Sequence, residues 1–343
     1  EPFLRLLKST ENLDAYAETY LDWVVVFGAV PAVFNMVVAN VIRGEGYSLH
    51  AGLGLSLGGV LNIALDPFFV LPFGLNMNIK GAAIATLISN VVTTLYFAIL
   101  LIVIRKKSVV SFSPKKACLA IKEKIARNVL FTGLPSALQT MLSAVSNLVL
   151  NSLMIGYGET AEAAIGVTKK IDAVPFGMVT GLAQGAAPLI AYNNGAKKYD
   201  KMKTTLKLSL CYCVGLAITV LIVVESAAGA LIEVFIKDAS TVTYGEKFLR
   251  LHCASLPFMA VTFMLVSYFQ AVGAKGKAFL LSIIRKGIVD IPLMYLLNVL
   301  IPVYGIVACQ PITDVISATV GVILYVLWKK KFQKTEEEQE IIV

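Results

Sequence analysis

Long uninterrupted runs of apolar residues dominate the pattern of the chain. Three of them are "WVVVFGAVPAVFNMVVANVI" from Trp23, "NVVTTLYFAILLIVI" from Asn90 and "LSLCYCVGLAITVLIVV" from Leu208. A helix needs about 20 such residues to cross a bilayer core about 30 Å thick. The pattern predicts an all-α polytopic membrane protein with nine spans, near residues 20–42, 50–72, 81–104, 131–155, 161–193, 206–230, 246–272, 279–300 and 305–328.

Composition agrees with this fold class, and the distribution of charge adds an orientation. The chain is 57% hydrophobic and 15% charged, with a formal net charge of +8, whereas soluble domains carry about 25% charged residues. Alternating spans place most Lys and Arg on one side, in "RKKSVVSFSPKKACLAIKEKIAR", "GAKKYDKMKTTLK", "GAKGKAFLLSIIRK" and "WKKKFQK". Segments of the other side, such as "GYGETAE", are neutral or acidic. This is the positive-inside distribution, so we expect a cytoplasmic C-terminus, a plasma-membrane location and no nucleic-acid partner.

Motifs for metal, redox or nucleotide chemistry are absent from the sequence. The five cysteines form no CxxC pair and the two histidines are far apart in sequence, which favours packing roles for the cysteines. No GxxxxGK[ST] or HExxH occurs, so neither nucleotide-driven pumping nor enzymatic activity is expected. We expect no metal and no cofactor.

The first three spans resemble the last three in the same orientation. Asp66 and Gly81 are 15 positions apart, and so are Asp290 and Gly305. A parallel repeat of this kind is typical of transporters, which bind substrate between the repeated halves. The middle three spans have no counterpart, so the repeat predicts that about three N-terminal spans are missing and that the complete protein has twelve spans in two six-helix lobes. A natural protein of nine spans is the alternative.

The repeat and the basic segments together predict a domain organisation. Residues 1–104 form the second half of the first lobe and 105–130 a basic cytoplasmic linker. Residues 131–328 form the second lobe and 329–343 a cytoplasmic tail.

Several charged residues fall inside the eighth span, where each costs several kcal/mol unless it has a partner or faces water. Arg285 and Lys286 lie near the inner end of the span, where they can extend to the interface. Asp290 is one turn deeper, and its i,i+4 spacing allows it to pair with Lys286. Two interpretations stay open: a neutral pair that only orients the span, and a carboxylate that lines a cavity and takes a proton or a cation.

The fifth span holds a second set of charges, Lys169, Lys170 and Asp172, just before the helix-bending Pro175. Lys169 and Asp172 are i,i+3 neighbours and can pair. Lys170 would need a partner elsewhere, and two lysines in one span are hard to explain by packing, which favours a cavity. Other polar positions inside spans are Asp314 in the ninth span, a stripe of amides in the fourth, and Gln184. The candidate substrate- or ion-binding residues are therefore Asp290, Asp172, Lys170, Asp314, Gln139, Asn147, Asn151 and Gln184.

Four segments resemble the multidrug and toxic compound extrusion (MATE) family. They are "GLAQGAAPLIAYNNGAKKYDKMK", "YFQAVGAKGKAFLLSIIRKGIVDIPLMYLL", "GIVACQPITDVIS" and "NIALDPFF…GAAIATLIS". The resemblance implies twelve helices in two lobes around a central cavity. It also implies a monomer that exports small cationic amphipathic compounds across the lipid bilayer in exchange for protons or sodium.

The resemblance transfers few functional residues. The carboxylate that the proton-linked branch has on its first helix lies in a part of the family that this chain does not match. The Glu that the sodium-linked branch has on its seventh helix corresponds to Ser143, and the tenth-helix carboxylate has no match in "SLPFMAVTFMLVSYFQ". These departures argue against the sodium-linked pattern and leave the coupling ion open.

Two other functions compete with drug export. A lipid-linked oligosaccharide flippase of the same broad superfamily would need basic residues for a pyrophosphate, and Lys169 and Lys170 fit that need. A membrane enzyme or receptor without transport is the second competitor.

Overall fold

The computed structural model describes residues 18–72, 74–110 and 125–340, with side chains described as far as Lys330. The described residues are almost entirely helical and contain no strand, which confirms the predicted all-α class. The chain divides into two compact units, Glu1–Ala120 and Ile121–Val343. The division falls inside the predicted linker, of which residues 111–124 lie outside the described residues.

The described residues of the first unit form three long helices. A π-helical turn, Asp22–Phe27, precedes α1 (Ala29–Gly44), which is followed by α2 (Ser48–Val70) and α3 (Asn78–Ile104). A small core of fully or nearly fully buried side chains, among them Ile42 and Phe97, packs α1 and α3 together.

The described residues of the second unit form eight helices. They are α4 (Ile125–Ile155), α5 (Glu159–Gly195), α6 (Tyr199–Glu233), α7 (Ala239–Cys253), α8 (Leu256–Ala271), α9 (Lys275–Ile283), α10 (Asp290–Leu300) and α11 (Tyr304–Glu340). A second π-helical turn, Ile284–Val289, connects α9 to α10 and is called the π-turn below. The helix α11 continues through the first part of the predicted tail.

Local chemistry sets the ends of several of these helices. Gly158 and Gly273 have positive φ angles of 97° and 75°, a conformation that side chains disfavour, at the turns before α5 and α9. Asp238 caps the start of α7 by accepting hydrogen bonds from Ser240 and Thr241. Because the bonds from Ser240 and Thr241 stabilise the ionised carboxylate, they lower the pKa of Asp238 to about 2.

The helices reproduce most of the predicted spans. Judged by length and apolar composition, α2 to α6 and the part of α11 up to Lys330 can each cross a membrane. Two further spans are bent: the first π-helical turn with α1, at 46°, and α7 with α8, at 42°. The predicted span near 279–300 corresponds to α9, the π-turn and α10 in succession, none of which is long enough by itself.

The core of the second unit lies in two clusters. The larger joins α5, α6, α8, α9 and part of α7, with Ile190, Leu206 and Phe269 among its buried side chains. The smaller joins α4, α5, α7, α10 and α11 around Phe248 and Met154. Polar and charged groups lie between these helices, and they form the candidate site.

Candidate functional site

The π-turn places two adjacent cations in the interior of the second unit. Arg285 is 2% exposed and Lys286 is 8% exposed. The Arg285 Nε donates to the Asp314 Oδ1 at 2.6 Å, and the Lys286 Nζ donates to the Asp290 Oδ2 at 3.0 Å. The predicted Lys286–Asp290 pair is confirmed. The prediction that both cations extend to the interface is wrong, because each has a buried carboxylate partner within the helix bundle.

The two ion pairs belong to one hydrogen-bonded network. The Gln310 side chain accepts from the Lys286 Nζ at 2.8 Å and donates to the Asp314 Oδ2 at 2.8 Å. The Ser146 hydroxyl donates to the Asp290 Oδ2 at 2.5 Å. Because buried charges are tolerated only when their remaining hydrogen-bonding positions are satisfied, this network explains how α10 and α11 keep two carboxylates in an apolar region.

A third carboxylate, Asp172 on α5, faces a histidine instead of a lysine. The His252 Nε2 lies 3.3 Å from the Asp172 Oδ2. An ionised carboxylate can only accept, so the His252 Nε2 carries the hydrogen; in the neutral ring, the Nδ1 is then the bare nitrogen. That Nδ1 is buried and has no hydrogen-bond partner among the described residues. The pair therefore has an unused position for one proton.

The neighbouring cation, Lys169, does not pair with Asp172 as its i,i+3 spacing suggested. Its Nζ instead donates to the Asn147 Oδ1 on α4. This contact joins the fourth and fifth predicted spans through one polar side chain from each.

These groups surround a polar cavity of about 230 Å³. The cavity is lined by side chains of α4, α5, α7, α8, α11 and the π-turn: Ser143, Asn147, Lys169, Asp172, Ala173, Phe176, His252, Ser255, Met259, Arg285, Lys286 and Gln310. The lining has three cations, Lys169, Arg285 and Lys286, and one carboxylate, Asp172. The buried partners Asp290 and Asp314 bring the number of carboxylates to three. The cluster is therefore electrically balanced when His252 is neutral.

A second cavity of about 530 Å³ adjoins the first and shares Ser143, Asn147 and Phe176 with it. Its lining is mainly uncharged and polar: Ser136, Gln139, Thr140, Ser143, Asn147, Thr180, Gln184, Ser267 and Gln270, with apolar Ala144, Phe176, Ala183, Phe263 and Val266. Gln139 is 8% exposed and its Nε2 has no partner among the described residues. The larger cavity therefore has an amide N–H donor, on Gln139, that is available to a bound molecule.

Two aromatic rings lie at the junction of the cavities. Phe176 and Phe263 contact edge to face, with ring centroids 5.4 Å apart. The guanidinium of Arg285 lies 4.8 Å from the centroid of the Phe263 ring, a cation–π contact. The rings therefore connect the charged cluster to the larger cavity.

The structure separates the predicted candidates into three groups. Asp172 and Asn147 line the smaller cavity, and Gln139, Asn147 and Gln184 line the larger one. Asp290 and Asp314 lie behind the lining, 1% and 0% exposed. Lys170 and Asn151 are exposed and line neither cavity.

The most important residue that sequence reasoning missed is His252. Its partner Asp172 is 80 positions away, and no local spacing connects two such residues. One feature of the sequence could have indicated the contact. A carboxylate inside a span needs a partner, and His252 is a titratable residue inside another predicted span.

Comparisons with known proteins find one matching family model and several similar proteins. The MatE family model matches residues 135–296. The multidrug export protein MepA of Staphylococcus saprophyticus is 29% identical over 339 residues, which cover 98% of this chain and 73% of that protein. MepA of Staphylococcus haemolyticus is 28% identical over 338 residues, covering 98% and 72%.

A solved structure shares both the fold and part of the sequence. It is described as the outward-facing conformation of a multidrug resistance MATE family transporter of the MOP superfamily. The TM-score is 0.81 at 25% sequence identity, over 92% of this chain and 70% of that chain. The matching helices, the family model and the export proteins all support the predicted resemblance to the multidrug and toxic compound extrusion family.

Proposed function

We propose that this protein is a secondary active antiporter of the cell membrane that exports cationic amphipathic compounds by alternating access. The observation that carries the proposal is the pair of adjoining polar cavities inside a bundle of membrane-spanning helices. The match to the MatE family model and the similarity to the MepA proteins, which are named multidrug export proteins, support the same function.

The larger cavity is the proposed substrate site. Its volume of about 530 Å³ lies in the range of about 300–1,000 Å³ that small-molecule sites occupy. The lining offers amide oxygens and aromatic rings, and it contains no carboxylate among the described residues. A cationic aromatic compound would be held there by ring faces and amide dipoles, an arrangement that suits many substrates better than one fixed ion pair.

The proposed coupling ion is the proton, and the Asp172–His252 pair is its proposed acceptor. Each carboxylate of the cluster already has a basic or imidazole partner, which leaves little free oxygen for sodium. Ser143 lines both cavities at the position that corresponds to the sodium-linked Glu. One proton added to His252 changes the cluster from balanced to a net charge of +1, which disfavours a nearby cationic substrate.

The protein is proposed to act as a monomer and not as an enzyme, without a cofactor other than the coupling ion, and with its C-terminus in the cytoplasm. The flippase alternative is not favoured. Lys169 is engaged by Asn147 and Lys170 lies outside both cavities, so the two lysines do not form a pyrophosphate site.

Ethidium transport in proteoliposomes tests the proposal. We expect an imposed pH gradient to drive ethidium exchange by the wild type, and a sodium gradient to have no effect. His252→Gln and Asp172→Asn should each reduce proton-driven exchange at least tenfold. Lys170→Gln, which removes a charge from the same helix outside both cavities, should keep wild-type exchange.

Three outcomes would contradict parts of the proposal separately. Exchange driven by sodium alone would disprove proton coupling but leave drug export intact. Normal proton-driven exchange by both His252→Gln and Asp172→Asn would remove the pair from the coupling mechanism. Failure of the wild type to move ethidium or any other cationic dye under either gradient would contradict drug export itself.

A further inference from the structure

A third cavity, of about 470 Å³, lies on the second unit away from the candidate site. Among the described residues, side chains of two helices line it. Those of α6 are Lys203, Leu206, Lys207, Leu210 and Cys211, and those of α11 are Tyr325 and Lys329. The spacing of i, i+3, i+4 and i+7 shows that the α6 residues form one stripe along the helix. We call this cavity the α6–α11 groove.

The groove combines apolar walls with three cations. The Lys203 Nζ lies 3.8 Å from the carboxylate of Asp200, which is fully exposed. In the described part of the chain, no carboxylate lies within 4 Å of the Lys207 or Lys329 Nζ. Two ammonium groups at the groove therefore have no ion-pair partner there.

The apolar part of the groove has a fixed wall. Tyr325 contacts Tyr268 of α8 edge to face, with ring centroids 5.4 Å apart. Leu206 is 2% exposed and belongs to the larger core cluster. Because these side chains are anchored to the core, the groove does not depend on mobile surface residues for its shape.

The lysines all lie toward one end of the groove. Lys203 and Lys207 fall in the first turns of α6, which begins at Tyr199, and Lys329 is at the end of the apolar part of α11. With a rise of about 1.5 Å per residue, Cys211 lies roughly 12 Å farther along α6 than Lys203. The groove thus extends from a basic end at the membrane boundary into the apolar zone.

We propose that the α6–α11 groove binds one anionic phospholipid. The phosphate lies among Lys203, Lys207 and Lys329, and an acyl chain lies along Leu206, Leu210 and Tyr325. Basic pockets between membrane helices on the cytoplasmic side recognise anionic head groups in this way. The apolar walls distinguish the site from one for soluble phosphate, and the three cations distinguish it from one for a zwitterionic lipid.

Native mass spectrometry of the purified protein tests the site. The delipidated protein is titrated with phosphatidylglycerol or with phosphatidylcholine of the same acyl chains. We expect tighter binding of phosphatidylglycerol, and we expect Lys207→Gln/Lys329→Gln to weaken it about 10- to 30-fold. That loss follows from about 1 kcal/mol for each lysine near the head group and about 1.4 kcal/mol for each tenfold change in affinity.

Matched variants keep the test specific. Lys201→Gln/Lys330→Gln removes the same charge from exposed positions of the same two helices outside the groove, and should bind phosphatidylglycerol like the wild type. Lys207→Arg/Lys329→Arg should also retain binding. Leu210→Trp, which fills the apolar part without a change in charge, should reduce it. Gel filtration verifies that each variant is folded.

Three results would overturn the proposal. Equal binding of the two lipids by the wild type would exclude recognition of the head group. An equal loss in the Lys201/Lys330 control would reduce the effect to general surface charge. Displacement of phosphatidylglycerol by millimolar inorganic phosphate would identify a soluble-anion site instead.

Discussion

At the scale of single residues, the second unit shows how charge is kept inside a membrane protein. Arg285 is buried, stacked on Phe263 and bonded to Asp314, which is itself 0% exposed. Both partners are almost completely inaccessible to solvent. The contribution of this ion pair to stability is therefore best measured by comparing a variant that lacks one partner with a variant that lacks both.

We predict that Asp314→Asn destabilises the protein by about 3–5 kcal/mol, because it leaves the guanidinium of Arg285 uncompensated in the interior. The double variant Arg285→Leu/Asp314→Leu should recover much of that loss. Thermal unfolding in detergent, followed by the loss of the monodisperse gel-filtration peak, measures both. A double variant no more stable than the single one would show that the pair stabilises the fold beyond mutual neutralisation.

Residue contacts could be predicted from the sequence only where they are local. The i,i+4 spacing gave the Lys286–Asp290 pair, since both residues lie on one helix face. The Arg285–Asp314 contact crosses 29 positions and the His252–Asp172 contact 80. Such contacts depend on how α5, α7 and α11 pack, which the spacing of polar residues does not specify.

At the scale of elements, the repeat seen in the sequence has a physical counterpart in two glycines. A Cβ added to Gly81 at the start of α3 would lie 2.6 Å from the Phe69 carbonyl oxygen of α2. A Cβ added to Gly305 at the start of α11 would lie 2.3 Å from the Leu297 carbonyl oxygen of α10. Both glycines let a helix begin directly against the end of the preceding one.

We predict that Gly81→Ala and Gly305→Ala each destabilise the protein by about 1–3 kcal/mol, because the obstacle is backbone that cannot rotate away. Gly59→Ala is the matched control, since a Cβ there meets no atom within 4 Å. Thermal unfolding of the three variants measures the difference. Equal stability of all three would show that these helix junctions relax at no cost.

Element boundaries were predictable to the extent that they follow hydropathy. The apolar runs located α2 to α6 and α11, because the bilayer imposes a minimum length on each. The pattern did not reveal the π-turn or the bends at α1 and at the α7–α8 junction. These features change hydrogen-bond geometry without changing apolar composition.

At the scale of the whole molecule, the distribution of lysines supports one orientation. Lys203 and Lys207 from the start of α6 line the same groove as Lys329 from the end of α11. These two helix ends therefore lie at the same end of the bundle. The positive-inside rule predicts that this end faces the cytoplasm, as in the proposed orientation.

We predict that a cysteine introduced as Tyr157→Cys, in the turn between α4 and α5, reacts in intact cells with a membrane-impermeant maleimide. A cysteine introduced as Lys198→Cys, between α5 and α6, should react only after the cells are opened. Both measurements use a background in which Cys118 and the exposed Cys211 are replaced by serine. The reverse labelling pattern would invert the proposed topology and place the α6–α11 groove in the outer leaflet.

The π-turn limits the insertions and deletions that the chain can tolerate between α9 and α10. A π-helical turn closes its hydrogen bonds five residues apart instead of four, so it accommodates one residue more than a regular α-helix between the same flanks. The loss of one residue there would regularise the helix and turn Arg285 and Lys286 relative to Asp290 and Asp314. Among homologous chains, the number of residues between α9 and α10 should therefore be as constrained as the charges themselves.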